Sequence, residues 1–147
     1  FSHYGLNHIA KLTSSANAKI PEYSGTSEAW ATEHLKDGEI KLTDWFNRHH
    51  IIEKDQFISH TTGKKNPRII LLNALEDTLL NPDEVWINDY KSTSFNNLVM
   101  VKYYKDVPFV AVSRVHNGRL SIKTWFVLTP KEIQQWKYRR GLLIKKR

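Results

Sequence analysis

A histidine and two cations lie in a polar stretch just ahead of the most regular helical pattern of the chain. These residues are His60, Lys64 and Arg68, and the Asn66-Pro67 pair between them is typical of a loop. Histidine carries protons near neutral pH, while Lys and Arg stabilise the charge that builds on phosphoryl oxygens. The grouping predicts that His60 shuttles a proton, that Arg68 is a catalytic cation and that Lys64 binds substrate.

A second set of cations lies on a predicted β-hairpin. Asn117-Gly118 separates two β-rich runs, which is a strong signal for a two-residue turn. The register that follows pairs His116 with Arg119, Arg114 with Ser121, Val112 with Lys123 and Val110 with Trp125. One face of the hairpin therefore presents cations to a polyanion, with Arg114 as a catalytic residue, Arg119 and Lys123 as substrate-binding residues and Trp125 as a stacking platform for a base.

The preceding strand and a threonine complete the predicted site. Residues 98–104 alternate as a strand, and Lys102 and Tyr104 join the polar face if Val99 and Val101 face the core. Lys102 is then a catalytic cation and Tyr104 a substrate-binding residue. Strict alternation places Thr124 on the apolar side, so its catalytic role depends on a twist or a bulge that brings its hydroxyl to the edge of a cleft; otherwise it is a β-branched strand residue with no further role.

The remaining motifs exclude several kinds of chemistry. The chain has no cysteine, which excludes disulfides, thiol nucleophiles and Cys-based zinc sites. It has no HExxH spacing and no Gly-rich phosphate loop, so we expect neither a metal nor a cofactor. The other histidines are expected to be incidental: His34, His49 and His50 as packed residues of presumed helices, and His116 as an exposed residue beside the turn.

The charge of the 147 residues is strongly asymmetric. The formal net charge is +7, but residues 1–89 carry 9 basic and 13 acidic residues, whereas residues 90–147 carry 13 basic and 2 acidic ones. A net charge of −4 in the first part and +11 in the second indicates a phosphate-rich partner, either nucleic acid or a membrane surface. No apolar run is long enough to span a bilayer, and no signal peptide is visible. Because the chain begins at Phe1, we interpret it as a fragment of a longer protein.

Hydrophobic periodicity predicts an α+β fold. Helices are expected over 26–36, 45–53 and 68–80, strands over 84–87 and 98–104 followed by the hairpin, and a last helix from Thr129-Pro130 to just before Gly141. Residues 142–147 are either a basic tail or a short added strand. The expected architecture has N-terminal helices on one face of an antiparallel meander of about four strands, a C-terminal helix, and an open second face for the ligand. Residues 1–25 are expected to be an irregular lead-in and residues 26–147 a single domain.

Two short motifs resemble a known group of nucleases. Asn-Pro-Asp-Glu-Val-Trp at 81–86 follows a Leu-rich helix, and Lys-Thr-Trp-Phe at 123–126 ends the meander. This pattern resembles the phage-associated barnase/EndoU/colicin/RelE-like (BECR-fold) nuclease domains of Mu F-like phage head proteins and of polymorphic or contact-dependent bacterial toxins. The resemblance covers roughly residues 51–139. Carried over by position, the helix-proximal histidine is His60, the arginine that opens the helix is Arg68 and the hydroxyl of the last strand is Thr124.

The resemblance implies a metal-independent endoribonuclease toxin. Such a domain cleaves RNA, often tRNA, by attack of the ribose 2′-OH to give a 2′,3′-cyclic phosphate. The expected partner is an acidic immunity protein, and the expected setting is a monomer without membrane insertion, delivered into the cytoplasm of a target bacterium from a secreted, cell-surface or phage-borne parent. The alternatives are a non-catalytic nucleic-acid-binding module and a structural piece of a phage head or surface protein.

Overall fold

An eight-stranded sheet is the main element of the part of the protein that the structure describes. The computed structural model describes residues 19–61, 68–88, 97–104, 107–116, 118–127 and 142–146. Within them the elements are α1 (Ser27–Glu33), β1 (Leu35–Lys36), β2 (Glu39–Thr43), β3 (His49–Ile52), α2 (Lys54–Thr61), a 3₁₀ helix (Arg68–Leu71), α3 (Leu72–Leu80), β4 (Glu84–Asn88), β5 (Asn97–Tyr104), β6 (Val107–His116), β7 (Arg119–Val127) and β8 (Leu142–Lys146). None of the described helices has the length and apolar character needed to cross a membrane.

The strand order confirms an α+β fold with a mostly antiparallel sheet. The order is β1-β2-β3-β7-β6-β5-β4-β8, and β3 and β7 are the parallel pair. The predicted four-strand meander corresponds to β4–β7, but four strands were too few. β1, β2 and β3 extend the sheet beyond β7. Residues 142–146 form β8, which is the short added strand that was one of the two alternatives for residues 142–147. The predicted last helix, from 129–130 to just before 141, lies outside the described residues, and so do residues 1–18 of the expected lead-in.

The last of the three strands before α2, β3, lies where a helix was predicted. Residues 45–53 were expected to be helical, but they form a turn and β3. The alternation lies in β2, where Ile40 and Leu42 are buried, and they pair with the buried residues Ile52 and His50 of β3 on the same side. The preceding turn is Asp37-Gly38, with φ angles of 54° and 78° at its two residues. Positive φ at both positions is the geometry of a type I′ hairpin, and Asp-Gly is one of its preferred sequences.

Helices cover one face of the sheet, which we call the helix-side face. Thr26 caps α1 by accepting a hydrogen bond from the Ala29 amide, and Trp30 is the residue that α1 buries. Trp30 stacks on Phe57 of α2, with the ring centroids 5.7 Å apart. The buried residues of α3 are Leu72, Ala74, Leu75, Thr78 and Leu79. Each large apolar side chain in this layer contributes roughly 1.5–3 kcal/mol by burial.

The opposite face of the sheet, which we call the outer face, is not open along its whole length. All eight residues of β5 are buried, including Val99 and Val101 on the outer face. Val110 of β6, which pairs with Val101, is also buried. The expectation of one wholly free sheet face is therefore wrong. The continuous apolar run at residues 98–101 is the pattern of a strand that is buried on both sides.

A β-bulge changes the register of the hairpin halfway along its length. From His116 to Ser113 the pairing confirms the predicted register, with Arg114 opposite Ser121. The register then shifts, so that Val112 pairs with Thr124 and Ala111 with Trp125. Lys123 is the extra residue of the bulge. Every residue of β7 after Lys123 consequently points to the face opposite to the one predicted.

Candidate nucleic-acid interface

The outer face remains open at the end of the sheet formed by β2, β3 and β7. A cavity of about 380 Å³ lies there, and we call it the basic cavity. Its lining residues are Lys41, Arg48, His49, Ile51, Gly118, Arg119 and Leu120. Three cations and a histidine around one depression form a site that attracts an anion such as a phosphate group.

Strand alternation places Lys41, His49, Ile51 and Arg119 on the same face. Lys41 of β2 lies opposite Ile51 of β3, and Ile51 lies beside Ser121 of β7 in the parallel pair. His49 and Arg119 are each two residues away from a member of this row, so they share its face. Ile40, Leu42 and Ile52 alternate to the helix-side face, where they join the core. The basic side chains are therefore available at the surface because their neighbours anchor the strands.

Acidic neighbours hold two of the cations at the rim of the basic cavity. Arg119 donates to Glu39 at 2.5 Å, and this hydrogen bond raises the pKa of the exposed guanidinium. The ammonium of Lys41 lies 3.6 Å from the carboxylate of Asp37. His49 is exposed, and its Nδ1 lies 3.4 Å from the hydroxyl of Thr43. These contacts orient the cations while leaving donors for a ligand.

The turn between β2 and β3 fixes Arg48 at the basic cavity. Asp44 Oδ1 accepts from the amides of Phe46 and Arg48, both at 2.9 Å, and Oδ2 accepts from Arg48 Nε at 3.1 Å. Asn47 takes a φ of 61°, a left-handed conformation that Asn tolerates better than most residues. One buried carboxylate thus orders both the backbone of the turn and its arginine.

The Asp44 carboxylate also contacts the buried side chain of His50. His50 Nε2 lies 2.7 Å from Asp44 Oδ2, and Nδ1 lies 2.8 Å from the Ser113 hydroxyl. Burial lowers the pKa of His50, and it outweighs the hydrogen bond to Asp44. Burial would raise the pKa of Asp44, but hydrogen bonds from His50 and from the amides of Arg48 and Phe46 outweigh it and lower the pKa. His50 is therefore neutral, donating to Asp44 and accepting from Ser113.

An Asp–His–Ser chain is also the arrangement of an activated serine nucleophile. Here His50 and Ser113 have no exposed surface, and Asp44 is only 2% exposed. A substrate has no access to the Ser113 hydroxyl in this conformation. The chain instead joins the β2–β3 turn to β6 behind the basic cavity.

Three residues predicted for the site lie on the outer face. Arg119 lines the basic cavity. Arg114 is half-buried beside Ser121, and its Nε lies 3.4 Å from Asn97 Oδ1. Thr124 reaches the outer face because of the bulge, which is one of the two distortions considered for it from the sequence. Lys123 lies at the bulge itself, where its carbonyl accepts a hydrogen bond from Gln56.

Three other predicted residues lie on the helix-side face. Trp125 has no exposed surface and belongs to the core, so its interpretation as an exposed stacking platform is wrong. Lys102 is 8% exposed and donates to the carbonyl of Asn81 at 2.9 Å, at the C-terminal end of α3. Tyr104 donates to Asp77 at 2.6 Å, and burial together with this bond raises its pKa. Lys102 and Tyr104 therefore do not join the cations of the hairpin.

The remaining predicted residues belong to the segment before α3. His60 lies in α2, so the prediction that it belongs to the loop-like polar stretch before α3 is wrong. The core residue Phe57 packs α2 against the helix-side face, opposite to the basic cavity. Arg68 opens the 3₁₀ helix. The side chains of His60, Arg68 and His116, and the whole of Lys64, lie outside the described residues.

Sequence reasoning missed Lys41, Arg48 and His49. The reason was the helix assigned to residues 45–53, which concealed β3 and its pairing with β2. Asp37-Gly38 was a hairpin signal that would have revealed β1 and β2. Across the described residues, no three His, Asp or Glu side chains form a group that could hold a metal ion.

Comparison with protein-family models identifies one match. Residues 31–145 match the family described as phage-Barnase-EndoU-ColicinE5/D-RelE like nuclease 2. The match includes residues 31–50, which the sequence resemblance left out and which contribute β1, β2 and the start of β3. Searches of curated proteins and of solved structures find no significant match.

Proposed function

Since the chain belongs to this family of phage-associated nucleases, we propose that it is an endoribonuclease that binds and cuts RNA at the basic cavity. The observation that carries the proposal is the grouping of an exposed histidine with three cations around one depression. The +11 charge of residues 90–147 supports a polyanionic substrate. The membership itself gives the activity class, a nuclease, and the choice of RNA rests on the chemistry that these side chains can perform.

The proposed reaction uses the ribose 2′-OH as the nucleophile. His49 takes the proton of the 2′-OH, the 2′ oxygen attacks the phosphorus, and the bond to the 5′ oxygen breaks. The 5′ oxygen leaves with a proton from solvent, which gives a 2′,3′-cyclic phosphate. Arg48, Arg119 and Lys41 stabilise the negative charge on the phosphoryl oxygens. Each reacting proton is accounted for without a metal.

Residues farther along the outer face would guide the RNA strand. Arg114 and Thr124 lie on this face beyond Ser121, on the side of the hairpin that continues from the basic cavity. In the proposal Arg114 contacts a neighbouring phosphate and Thr124 orients the strand. His60, Arg68 and Lys64 remain a rival catalytic set, and Lys102 and Tyr104 act through the packing of α3.

The biological setting is part of the same proposal. We propose a toxin domain that acts on RNA, with tRNA as the first candidate, in the cytoplasm of a target bacterium. Its parent would be secreted, displayed at the cell surface or carried by a phage. An acidic immunity protein is the proposed partner, because carboxylates would neutralise the cations of the basic cavity. The domain would act as a monomer.

The test is cleavage of matched oligonucleotides in EDTA. One RNA sequence is prepared in three forms: all-ribose, all 2′-O-methyl, and 2′-O-methyl with a single ribose. The expected result is cleavage of the first form, none of the second, and one cut after the ribose of the third, ending in a cyclic phosphate. Cleavage of the 2′-O-methyl form, or loss of all cleavage in EDTA, would contradict the mechanism.

Binding without cleavage would favour the alternative function. A nucleic-acid-binding module would bind all three oligonucleotides, with an affinity that falls as the salt concentration rises, and would cut none of them. Arg119→Ala is expected to weaken RNA binding, and Lys19→Ala serves as its control. Lys19 is exposed and lies just before Ile20, which packs on the helix-side core.

A further inference from the structure

Phe46 is the most exposed large apolar side chain among the described residues. It lies in the turn between β2 and β3, and 71% of its surface is accessible. A single exposed phenylalanine is common on protein surfaces and carries no function by itself. Its surroundings distinguish it, since it lies in the turn that supplies Arg48 to the basic cavity.

The backbone that carries Phe46 is held by several hydrogen bonds. Asp44 Oδ1 accepts from the Phe46 amide at 2.9 Å, and the Asp44 amide donates to the Arg48 carbonyl at 2.8 Å. The Asn47 amide donates to the Asp44 carbonyl at 3.0 Å. Trp45 anchors the turn to α3 by donating to the Leu79 carbonyl at 2.8 Å. The exposed ring therefore projects from a fixed backbone, which reduces the entropy lost when a ligand binds to it.

Arg48 connects this aromatic surface to the basic cavity. Its guanidinium carbon lies 5.0 Å from the ring centroid of Trp45 and 5.5 Å from that of Phe46. Both distances are within the range of a cation–π contact. The same side chain lines the basic cavity. A phosphate in the basic cavity and a flat group against Phe46 would thus both contact Arg48.

We propose that Phe46 and Arg48 form a nucleobase subsite beside the basic cavity. A base of the RNA strand stacks on the Phe46 ring while a phosphate of the same strand contacts Arg48. Nothing in this pair reads a hydrogen-bonding edge, so the subsite accepts any base. The inference rests on the proposed function for its ligand, and it replaces the stacking role that sequence reasoning gave to the buried Trp125.

The experiment measures binding without requiring cleavage. Fluorescence anisotropy follows a short 2′-O-methyl oligonucleotide, and a series of otherwise identical oligonucleotides carries one abasic nucleotide at successive positions. The proteins are wild type, Phe46→Ala, Phe46→Trp and Ile58→Ala. Ile58 is an exposed apolar residue of α2, so it controls for loss of apolar surface away from the outer face.

The expected pattern is a coupling between one base and one ring. Phe46→Ala weakens binding of the intact oligonucleotide about tenfold or more, and Phe46→Trp and Ile58→Ala retain it. One abasic position weakens wild-type binding by a similar factor and leaves Phe46→Ala unchanged. If every abasic position weakens both proteins equally, the subsite does not exist. If Phe46→Ala binds as tightly as wild type, the inference also fails.

This assay separates the inference from the proposed function. Cleavage of the all-ribose RNA tests the ribonuclease, whereas the abasic series reports on Phe46 even for a protein that cuts nothing. A protein that cleaves RNA but shows no coupling at Phe46 overturns the subsite alone. A protein that shows the coupling but cuts no RNA overturns the ribonuclease and supports a stacking site in a binding module.

Discussion

Two adjacent histidines have opposite environments in this protein. His49 and His50 are neighbours in β3, but His49 is exposed at the basic cavity and His50 has no exposed surface. Alternation along a strand separates them onto the two faces of the sheet. His50 is neutral and bonded on both ring nitrogens, which suits it to hold structure. His49 has exposed surface and cationic neighbours, which suits it to transfer protons at a phosphate.

The largest difference between the two histidines is expected in stability. His50→Ala should lower the free energy of unfolding by about 3 kcal/mol, because it opens a cavity and leaves Asp44 and Ser113 without their buried partner. His49→Ala, at the surface, should change it by less than about 0.5 kcal/mol. Urea-induced unfolding measures both. Equal losses of unfolding free energy in His50→Ala and His49→Ala would contradict the assignment of His50 to the buried side and His49 to the exposed side of β3.

A pair of cations extends the comparison to ligand binding. A plot of the logarithm of the RNA-binding constant against the logarithm of the salt concentration has a negative slope. Arg119→Ala should make that slope less steep by about 0.7 for single-stranded RNA, because one phosphate contact is lost. Lys102→Met should leave that slope unchanged and instead cost about 1–3 kcal/mol of stability, because it removes a buried charged donor at the end of α3. Salt titrations of RNA binding, together with urea unfolding, measure the two effects. A reduced salt slope in Lys102→Met would contradict the assignment of Lys102 to the helix-side face.

The pH dependence of stability separates His50 from a third histidine. Burial would lower the pKa of His34, but hydrogen bonds with Glu76 and the Trp30 carbonyl outweigh it and raise the pKa. His34 therefore stabilises the folded protein fully at a pH below about 6.5, the pKa of histidine in the unfolded chain. This stabilisation is lost as the pH rises through the raised pKa that His34 has in the folded protein. The lowered pKa of His50 has the opposite effect, since the unfolded chain binds the proton more readily and stability falls with the pH below about 6.5.

Two variants measure these opposite signs. The stability difference between wild type and His34→Gln should be about 1 kcal/mol larger at pH 5.5 than at pH 8. The difference in unfolding free energy between wild type and His50→Gln should instead grow as the pH rises from 5.5 to 7.5. Unfolding free energies at matched ionic strength provide both values. The same trend in the two series would contradict the description of His50 as a neutral partner of Asp44.

Much of the β-meander was predictable because its signals are local. Asn117-Gly118, the alternation that follows it and the Leu-rich pattern of α3 each depend on residues close together in the chain. The buried Trp125 was not predictable in the same way, because one extra residue at Lys123 reverses every later side chain. A strict two-residue pattern contains no information about whether a bulge will interrupt it.

The basic cavity was harder to predict because its residues are distant in sequence. Arg119 was identified from the hairpin, but Lys41 and His49 reach the same face only through the parallel pairing of β3 with β7. The pairing joins residues 50 and 120, and no local pattern encodes it. Residues 45–53 also contain two aromatics and two histidines at spacings that fit a helix, and tertiary pairing overrode that preference.

Single-turnover cleavage by His49→Ala is the most direct test of the central claim, which is that RNA is cut at the basic cavity. The variant should cleave all-ribose RNA in EDTA about 10²–10⁴-fold more slowly than wild type, with an unchanged urea midpoint. His60→Ala, measured in parallel, should retain cleavage if His49 is the proton carrier. Wild-type cleavage by His49→Ala, with activity lost in His60→Ala instead, would contradict the account and move the chemistry to the segment before α3.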